Sequence, residues 1–159
     1  MENLRVLNSK EKKRLLNLIN EQFECDFDLD YEVFMNNRNR IFLLSKDFSK
    51  IEISKLRINS LGLYFGEVSE KEIRLSLDGS FIIGKTAKRN VVSLDDEQAR
   101  KWMAGEDIAV DSTLSGFVII KNNDDFLGCG KISNGKLYNY VPKERRVKLT
   151  WNIQSSIKK

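Results

Sequence analysis

Leu127–Arg146 reads LGCGKISNGKLYNYVPKERR, and this stretch indicates the fold of the C-terminal half of the chain. Two runs of strand-forming residues flank Asn134-Gly135, a dipeptide typical of a two-residue β-hairpin turn. Polar, cationic and aromatic side chains crowd around that turn: Lys131, Lys136, Tyr138, Asn139, Tyr140, Lys143, Arg145 and Arg146. Cations pair with phosphates and aromatic rings stack on bases, so the pattern favours a small RNA-binding β-module.

Positive charge is concentrated in the same part of the chain. The 159 residues contain 27 Lys or Arg and 23 Asp or Glu, for a formal net charge of +4. From Lys131 to Lys159 there are eight Lys or Arg and one carboxylate, Glu144. The cations up to Lys148 lie among apolar strand-forming residues, which favours a binding face over a solvated tail.

The composition, 41% hydrophobic and 31% charged, is ordinary for one globular domain or two small ones. No apolar run approaches the ~20 residues of a membrane span. The N-terminus lacks a secretory apolar region, so we expect a cytoplasmic protein. The chain has no histidine, which removes the commonest general base and zinc ligand. Cys25 and Cys129 lack metal-ligand spacing, and we expect reduced thiols, no bound metal and no cofactor.

The N-terminal half predicts one helix against an antiparallel sheet. Leu15, Leu16, Ile19 and Phe23 lie at helical spacing and favour a core-facing helix from Lys10 to about Glu24, capped by Ser9. Lys46–Leu56 is ambiguous, with a short helix as one interpretation. The expected strands are Tyr31–Met35, Arg40–Ser45, Leu61–Val68, Glu72–Leu77 and Phe81–Ile83.

The C-terminal half predicts a β-rich unit with one helix. Ser93 is expected to start that helix, in a capping box with Asp96, and Gly105 fits a terminator just beyond its end. Trp102 is expected in the core. Further strands close the unit as a pseudo-barrel: Val91-Val92, Ile108–Val110, Gly116–Lys121, Phe126–Ser133, Lys136–Val141 and Arg146–Trp151.

Gly79–Thr86 reads GSFIIGKT and matches the G-x-x-x-x-G-K-T spacing of a phosphate-binding loop. A working loop of this kind follows a buried strand and opens a helix. Here the intervening residues look like a strand themselves, and the residues after Thr86 start a helix poorly. A nucleotide-dependent enzyme is therefore a minor alternative.

Three runs in the C-terminal half carry a family resemblance. They are the W-x-x-G-E-D-I run within Lys101–Ile108, the L-G-x-G-K run Leu127–Lys131, and the N-x-x-P-K run Asn139–Lys143. Together they resemble the PUA domain, an RNA-binding module named for pseudouridine synthases and archaeosine transglycosylases. More closely, they are similar to the C-terminal RNA-binding region of bacterial ribosomal-RNA 5-methylcytosine methyltransferases. Upstream, Ser60–Gly62, Phe65-Gly66 and Arg74–Leu77 resemble small Nip-type ribosome-biogenesis proteins.

The resemblance implies an α+β protein: an N-terminal helix-on-sheet domain at residues 1–84 and a PUA-like pseudo-barrel at residues 85–159. It implies a role in ribosome biogenesis, ribosomal-RNA processing or transfer-RNA modification. The usual Gly-Ala and Pro-Gly pairs near the helix end are missing, and only Gly105 carries over. The catalytic Pro-Cys context and glycine-rich S-adenosylmethionine loop of the methyltransferases are also missing, so a non-catalytic protein is expected.

The residues expected to bind ribosomal or transfer RNA neutralise phosphates or line a cleft near Gly105 and Tyr138: Lys85, Lys88, Arg89, Gly105, Lys131, Lys136, Tyr138, Lys143, Arg145 and Arg146. Whether Tyr138 and Tyr140 face the core or the RNA is open, with Lys136 on their face favouring exposure. The alternative from another class is a protein–protein adaptor in an RNA-processing complex. In either case the N-terminal domain is a candidate for docking a ribosome-assembly or RNA-modification protein.

Overall fold

The structure, a computed structural model, describes residues 3–46 and 62–147. Two five-stranded sheets account for the strands of these ranges. None of the helices described has the length and apolar character that a bilayer crossing requires. The architecture is α+β, as the sequence predicted.

The first sheet is antiparallel, with strands in sequential order. Its strands are β1 (Arg5–Val6), β2 (Glu32–Met35), β3 (Arg40–Leu44), β4 (Leu63–Val68) and β5 (Ile73–Leu75). Helix α1 (Ser9–Phe23) packs on one face, burying Leu15, Ile19 and Phe23 against it. The expected Ser9 cap is wrong: Asn8 caps the helix, in a reciprocal box with Glu11 that satisfies two free backbone N–H groups.

Helix α2 (Leu77–Gly84) follows β5 directly. The expected strand at Phe81–Ile83 is therefore wrong. Ser76 caps the helix by accepting a hydrogen bond from the Gly79 N–H, and this cap ends the preceding strand at Leu75. A short apolar run does not distinguish a buried helix from a strand by periodicity, which explains the error.

The second sheet has the order β6-β8-β9-β10-β7. Its strands are β6 (Val91–Ser93), β7 (Ile108–Ala109), β8 (Gly116–Asn122), β9 (Asp125–Ser133) and β10 (Lys136–Asn139). The hairpin between β9 and β10 turns at Asn134 and Gly135, with φ of 52° and 74°, as the dipeptide predicted. A single 3-10 turn, Lys143–Arg145, follows.

Helix α3 (Asp96–Met103) packs on one face of the second sheet. The expected start at Ser93 is wrong, because Ser93 ends β6 and Asp95 caps the helix in a box with Gln98. The Gln98 side chain is long enough to accept a hydrogen bond from the Asp95 N–H. Asp96, the expected partner of Ser93, has a shorter side chain. Gly105, with φ of +98°, follows the cap residue Ala104, as expected of a terminator.

The described residues form two main cores, the first of them shared between the sheets, and a small third cluster around Phe34 and Phe42. Ile83 of α2, Ile119 of β8 and Cys129 of β9 belong to the core that α1 and the first sheet form. Trp102, fully buried, centres the second core. The division at residue 84 stays a prediction. The segments expected at Lys46–Leu56 and Arg146–Trp151 lie largely outside the described residues.

Candidate nucleic-acid interface

The second sheet has one face toward α3, and part of its other face brings predicted cations and aromatic rings together. Lys131 of β9 is paired with Phe117 of β8 on one side and with Tyr138 of β10 on the other. Directly paired residues of neighbouring strands point to the same face of a sheet. Lys136 lies two residues before Tyr138 and shares that face.

Ring contacts extend this group to a second tyrosine and to the first sheet. The Lys131 Nζ lies 5.1 Å from the Phe117 ring centroid, and the Lys136 Nζ lies 5.2 Å from the Tyr138 ring centroid. The Tyr140 ring packs edge-on against Phe117 at 5.5 Å, with the guanidinium of Arg74 of β5 4.9 Å from its centroid. We call this group the aromatic face: Arg74, Phe117, Lys131, Lys136, Tyr138 and Tyr140.

Both tyrosines of the aromatic face are open to solvent. Tyr138 is 40% and Tyr140 39% exposed, so neither ring is buried in the core. Further along the same face, Ile119 and Cys129 are buried in the first core. On the opposite face, Ile132 and Leu137 pack in the second core. The exposed rings are therefore not needed to fill either core.

Two of the three cations of the aromatic face form ion pairs with carboxylates. Lys136 lies 3.6 Å from Asp107, and Arg74 lies 2.9 Å from Glu67. Such partly exposed pairs are worth only about 0–1 kcal/mol, so a polyanion can compete for both cations. Lys131 has no carboxylate partner among the described residues.

A second group lies at the end of α3. Arg146 packs its side chain against Gly105, where a Cβ would lie 2.6 Å from the Arg146 Cδ. The Arg146 Nε donates a hydrogen bond to the Val141 carbonyl at 3.0 Å. Lys143 and Arg145, in the 3-10 turn, are exposed beside it. We call Gly105, Lys143, Arg145 and Arg146 the α3-end group.

Asn139 joins the two groups. Its Nδ2 donates to the carbonyls of Trp102 at 2.7 Å and Glu106 at 2.9 Å. Its Oδ1 accepts from the Val141 N–H at 2.8 Å, and its own N–H donates to Asp107. The strand that carries Tyr138 is thereby tied to the loop that carries Gly105.

We expect Asn139→Ala to lower the free energy of unfolding by about 2 kcal/mol, because it leaves partly buried backbone groups without partners. Urea unfolding followed by circular dichroism measures the change. The control is Asn37→Ala, an exposed asparagine in the β2–β3 turn, which should change the free energy by less than about 0.5 kcal/mol. Equal effects of the two variants would contradict the assigned role of Asn139.

Lys85, Lys88 and Arg89 do not join these groups. The backbone N–H groups of Lys88 and Arg89 donate to the Phe23 carbonyl at the end of α1, and Arg89 lies 3.5 Å from Glu24. Cations near the end of a helix stabilise its terminal carbonyls, which gives Arg89 a structural role. Both residues precede β6, at the opposite edge of the sheet from β10 and β7. Lys85 lies over the ring of Phe81, at 4.6 Å from its centroid.

The GSFIIGKT segment has the reverse of the geometry that binds phosphate. Its first glycine lies in the first turn of α2, and Lys85 and Thr86 follow the helix's C-terminal end. Carbonyl groups, and not N–H groups, are free at that end. The Thr86 hydroxyl accepts a hydrogen bond from the Asp26 N–H at 3.1 Å.

Part of the chain matches a known protein family. Residues 89–147 match the family described as the PUA domain of methyltransferase RsmF. The chain carries a PUA-like domain. The aromatic face, apart from Arg74, and the α3-end group both lie within the matched residues.

Three longer proteins are similar to this chain over more residues than the family match covers. Ribosomal RNA small subunit methyltransferase F of Aeromonas salmonicida is 28% identical over 140 residues, covering 87% of this chain and 28% of that protein. The protein of the same name from Shewanella oneidensis is 26% identical over 123 residues, covering 76% and 26%. That from Aeromonas hydrophila is 30% identical over 105 residues, covering 65% and 22%. The chain spans about a quarter of the length of these relatives.

The structure adds residues to the candidate interface that sequence reasoning missed. Strand alternation places Phe117 on the face of Lys131 once the β8–β9 register is known, and the sequence alone did not supply that register. Arg74 comes from the first sheet, and nothing local to it indicates that it contacts Tyr140. Asn139 lay in the quoted N-x-x-P-K run, but its role in joining the two groups needs the fold.

The two cysteines are free thiols in the structure. Cys129 lies in the shared core, and burial raises the pKa of its thiol to about 12. Burial also raises the pKa of Cys25, which is half-buried. Both shifts disfavour the thiolate, which is the nucleophilic form of cysteine.

Proposed function

We propose that this chain binds ribosomal RNA through its PUA-like domain, with the aromatic face as the main contact surface and the α3-end group, tied to β10 through Asn139, as a second contact. The observation that carries the proposal is the aromatic face itself, where exposed tyrosine rings alternate with cations. Rings stack on unpaired bases while Lys and Arg neutralise the neighbouring phosphates. Exposed rings with cations beside them suit a single-stranded or looped RNA segment.

The names of the relatives support ribosomal RNA, rather than transfer RNA, as the target. Each of the three compared above is named a small-subunit ribosomal RNA methyltransferase. Their alignments cover up to 87% of this chain, so the likeness extends beyond the PUA-like domain into the first sheet. We place the protein in ribosome biogenesis or ribosomal-RNA modification on this basis.

The proposed mode of action is recognition without catalysis. The chain has no histidine, and both cysteines have raised pKa values that disfavour a thiolate. In residues 3–46 and 62–147, groups of three or more side chains suited to holding a metal ion do not occur. The carboxylates nearest the aromatic face, Asp107 and Glu67, are ion-paired with Lys136 and Arg74, and we assign the cation–ring contacts of this face to binding.

Lys131→Gln combined with Lys136→Gln is expected to weaken RNA binding about tenfold in near-physiological salt, because two phosphate contacts are lost. The slope of log affinity against log salt should fall by roughly 1.4, at about 0.7 for each single-strand contact. Fluorescence anisotropy with labelled loop fragments of small-subunit ribosomal RNA, titrated at several salt concentrations, measures both quantities.

The matched control removes two exposed lysines from α1, as Lys10→Gln with Lys13→Gln. It changes the net charge by the same amount, and it should leave affinity and slope nearly unchanged. If the two double variants lose affinity equally, binding is nonspecific attraction to a basic protein and the assigned surface is wrong. If the unmodified chain fails to bind the fragments, the proposed function itself is wrong.

A further inference from the structure

A cavity of about 260 Å³ lies beside the aromatic face, at the seam between the two sheets. Phe117 of the aromatic face forms part of its wall. Its other walls come from α1, from the β4–β5 connection and from the residues before β6 and β8, including Glu21, Gln22, Lys71, Glu72 and Asn90. We call it the seam cavity.

The polar groups of the seam cavity are two carboxylates, two side-chain amides, the Ser115 hydroxyl and the Lys71 ammonium. The Gln22 amide donates one hydrogen bond to the Ile73 carbonyl and accepts one from the Ile73 N–H. The Asn90 Nδ2 donates to the Gln22 carbonyl at 2.6 Å, which leaves the Asn90 Oδ1 as an acceptor. The half-buried carboxylate of Glu72 has no partner among the described residues. Glu21 adds a second carboxylate.

The charges and hydrogen-bonding groups of the seam cavity indicate which class of ligand it can bind. Two carboxylates against one cation, Lys71, disfavour a phosphate group. A planar ligand with adjacent N–H donors would satisfy the acceptors while lying against the Phe117 ring. Among the RNA bases, guanine has two neighbouring donor groups, N1–H and the N2 amino group, which match the two oxygens of one carboxylate.

We propose that the seam cavity receives an unpaired guanine of the bound RNA, with the Glu72 carboxylate accepting hydrogen bonds from its N1–H and N2 amino groups. The inference rests on the proposed RNA binding and adds base selectivity to it. The aromatic face holds the neighbouring phosphates and bases, and Phe117 links the two sites.

The test uses labelled uridine heptamers that carry guanosine, inosine or uridine at the central position. Inosine keeps N1–H and lacks the N2 amino group. We expect the guanosine oligomer to bind about tenfold more tightly than the all-uridine one, the magnitude usual for a good bidentate base contact. The inosine oligomer should fall between the two.

Glu72→Gln should abolish the preference for guanosine, because the amide keeps one acceptor and introduces a donor facing the base. Glu70→Gln, an exposed acid on the same β4–β5 connection, removes the same charge and should keep the preference. The ratio of affinities for the guanosine and uridine oligomers is the readout, since losing a carboxylate raises affinity for any RNA.

The outcomes separate this inference from the proposed function. Equal affinity of the unmodified chain for all three oligomers would overturn the guanine site while leaving RNA binding intact. So would a preference that survives in Glu72→Gln or disappears equally in Glu70→Gln. Failure to bind any of the oligomers or the ribosomal fragments would overturn both.

Discussion

Trp102→Ala is expected to lower the free energy of unfolding by about 3–5 kcal/mol, enough to leave the PUA-like domain only marginally folded. The Trp102 side chain is fully buried at the centre of the second core. Its Nε1–H donates to the Leu127 carbonyl at 2.9 Å, so the substitution opens a large cavity and also leaves that carbonyl without a partner.

Urea unfolding followed by far-ultraviolet circular dichroism measures this loss without relying on the fluorescence of the removed indole. Trp102→Phe should cost less, because it keeps most of the buried volume and loses mainly the hydrogen bond. Met103→Ala, at a half-buried neighbour, should cost least of the three. A loss below about 1 kcal/mol for Trp102→Ala would show that α3 contributes little to the domain.

Gly79→Ala should destabilise the chain by about 3 kcal/mol, near the upper end of the usual cost of overpacking. A Cβ at Gly79 would overlap the Phe65 carbonyl oxygen of β4. This neighbour is backbone in a central strand, so changes of side-chain rotamer do not relieve the overlap. The helix-propensity gain of alanine over glycine, about 1 kcal/mol at most, does not offset it.

Gly84→Ala is the matched comparison, since it changes the other glycine of the GSFIIGKT segment. Its Cβ would meet the ring of Phe126, which is half-buried and can move aside. Thermal unfolding should therefore give a clearly smaller loss for Gly84→Ala. Comparable losses would contradict the role of Gly79 as the close-packing point of α2 against β4.

Local chemistry was enough to predict the parts of the fold that depend on neighbouring residues. Asn134-Gly135 makes the hairpin because both residues adopt positive φ, a preference these residue types carry themselves. Gly105 ends α3 for the same reason. The helical spacing of Leu15, Ile19 and Phe23 predicted the core face of α1, and Trp102 was expected in the core on similar grounds.

The candidate site was predicted only in part, because its members come together through strand register. Lys131, Lys136 and Tyr138 surround one predictable hairpin and do share a face. Lys88 and Arg89 carry the same charge, yet the sheet order places them at the far edge beside α1. Composition and spacing along the chain do not show which cations lie on the aromatic face and which lie at the far edge of the sheet.

The sequence by itself determined the β9–β10 hairpin and the core face of α1, since turn dihedral angles and side-chain periodicity act over a few residues. Its motif runs carried the resemblance to PUA domains, and that resemblance implied the α+β class. Only the tertiary structure decided that Phe81–Ile83 is helical, that Arg74 of the first sheet reaches Tyr140, and that a cavity opens beside Phe117. These outcomes depend on contacts between distant segments, whose free energies exceed local preferences and leave no local pattern.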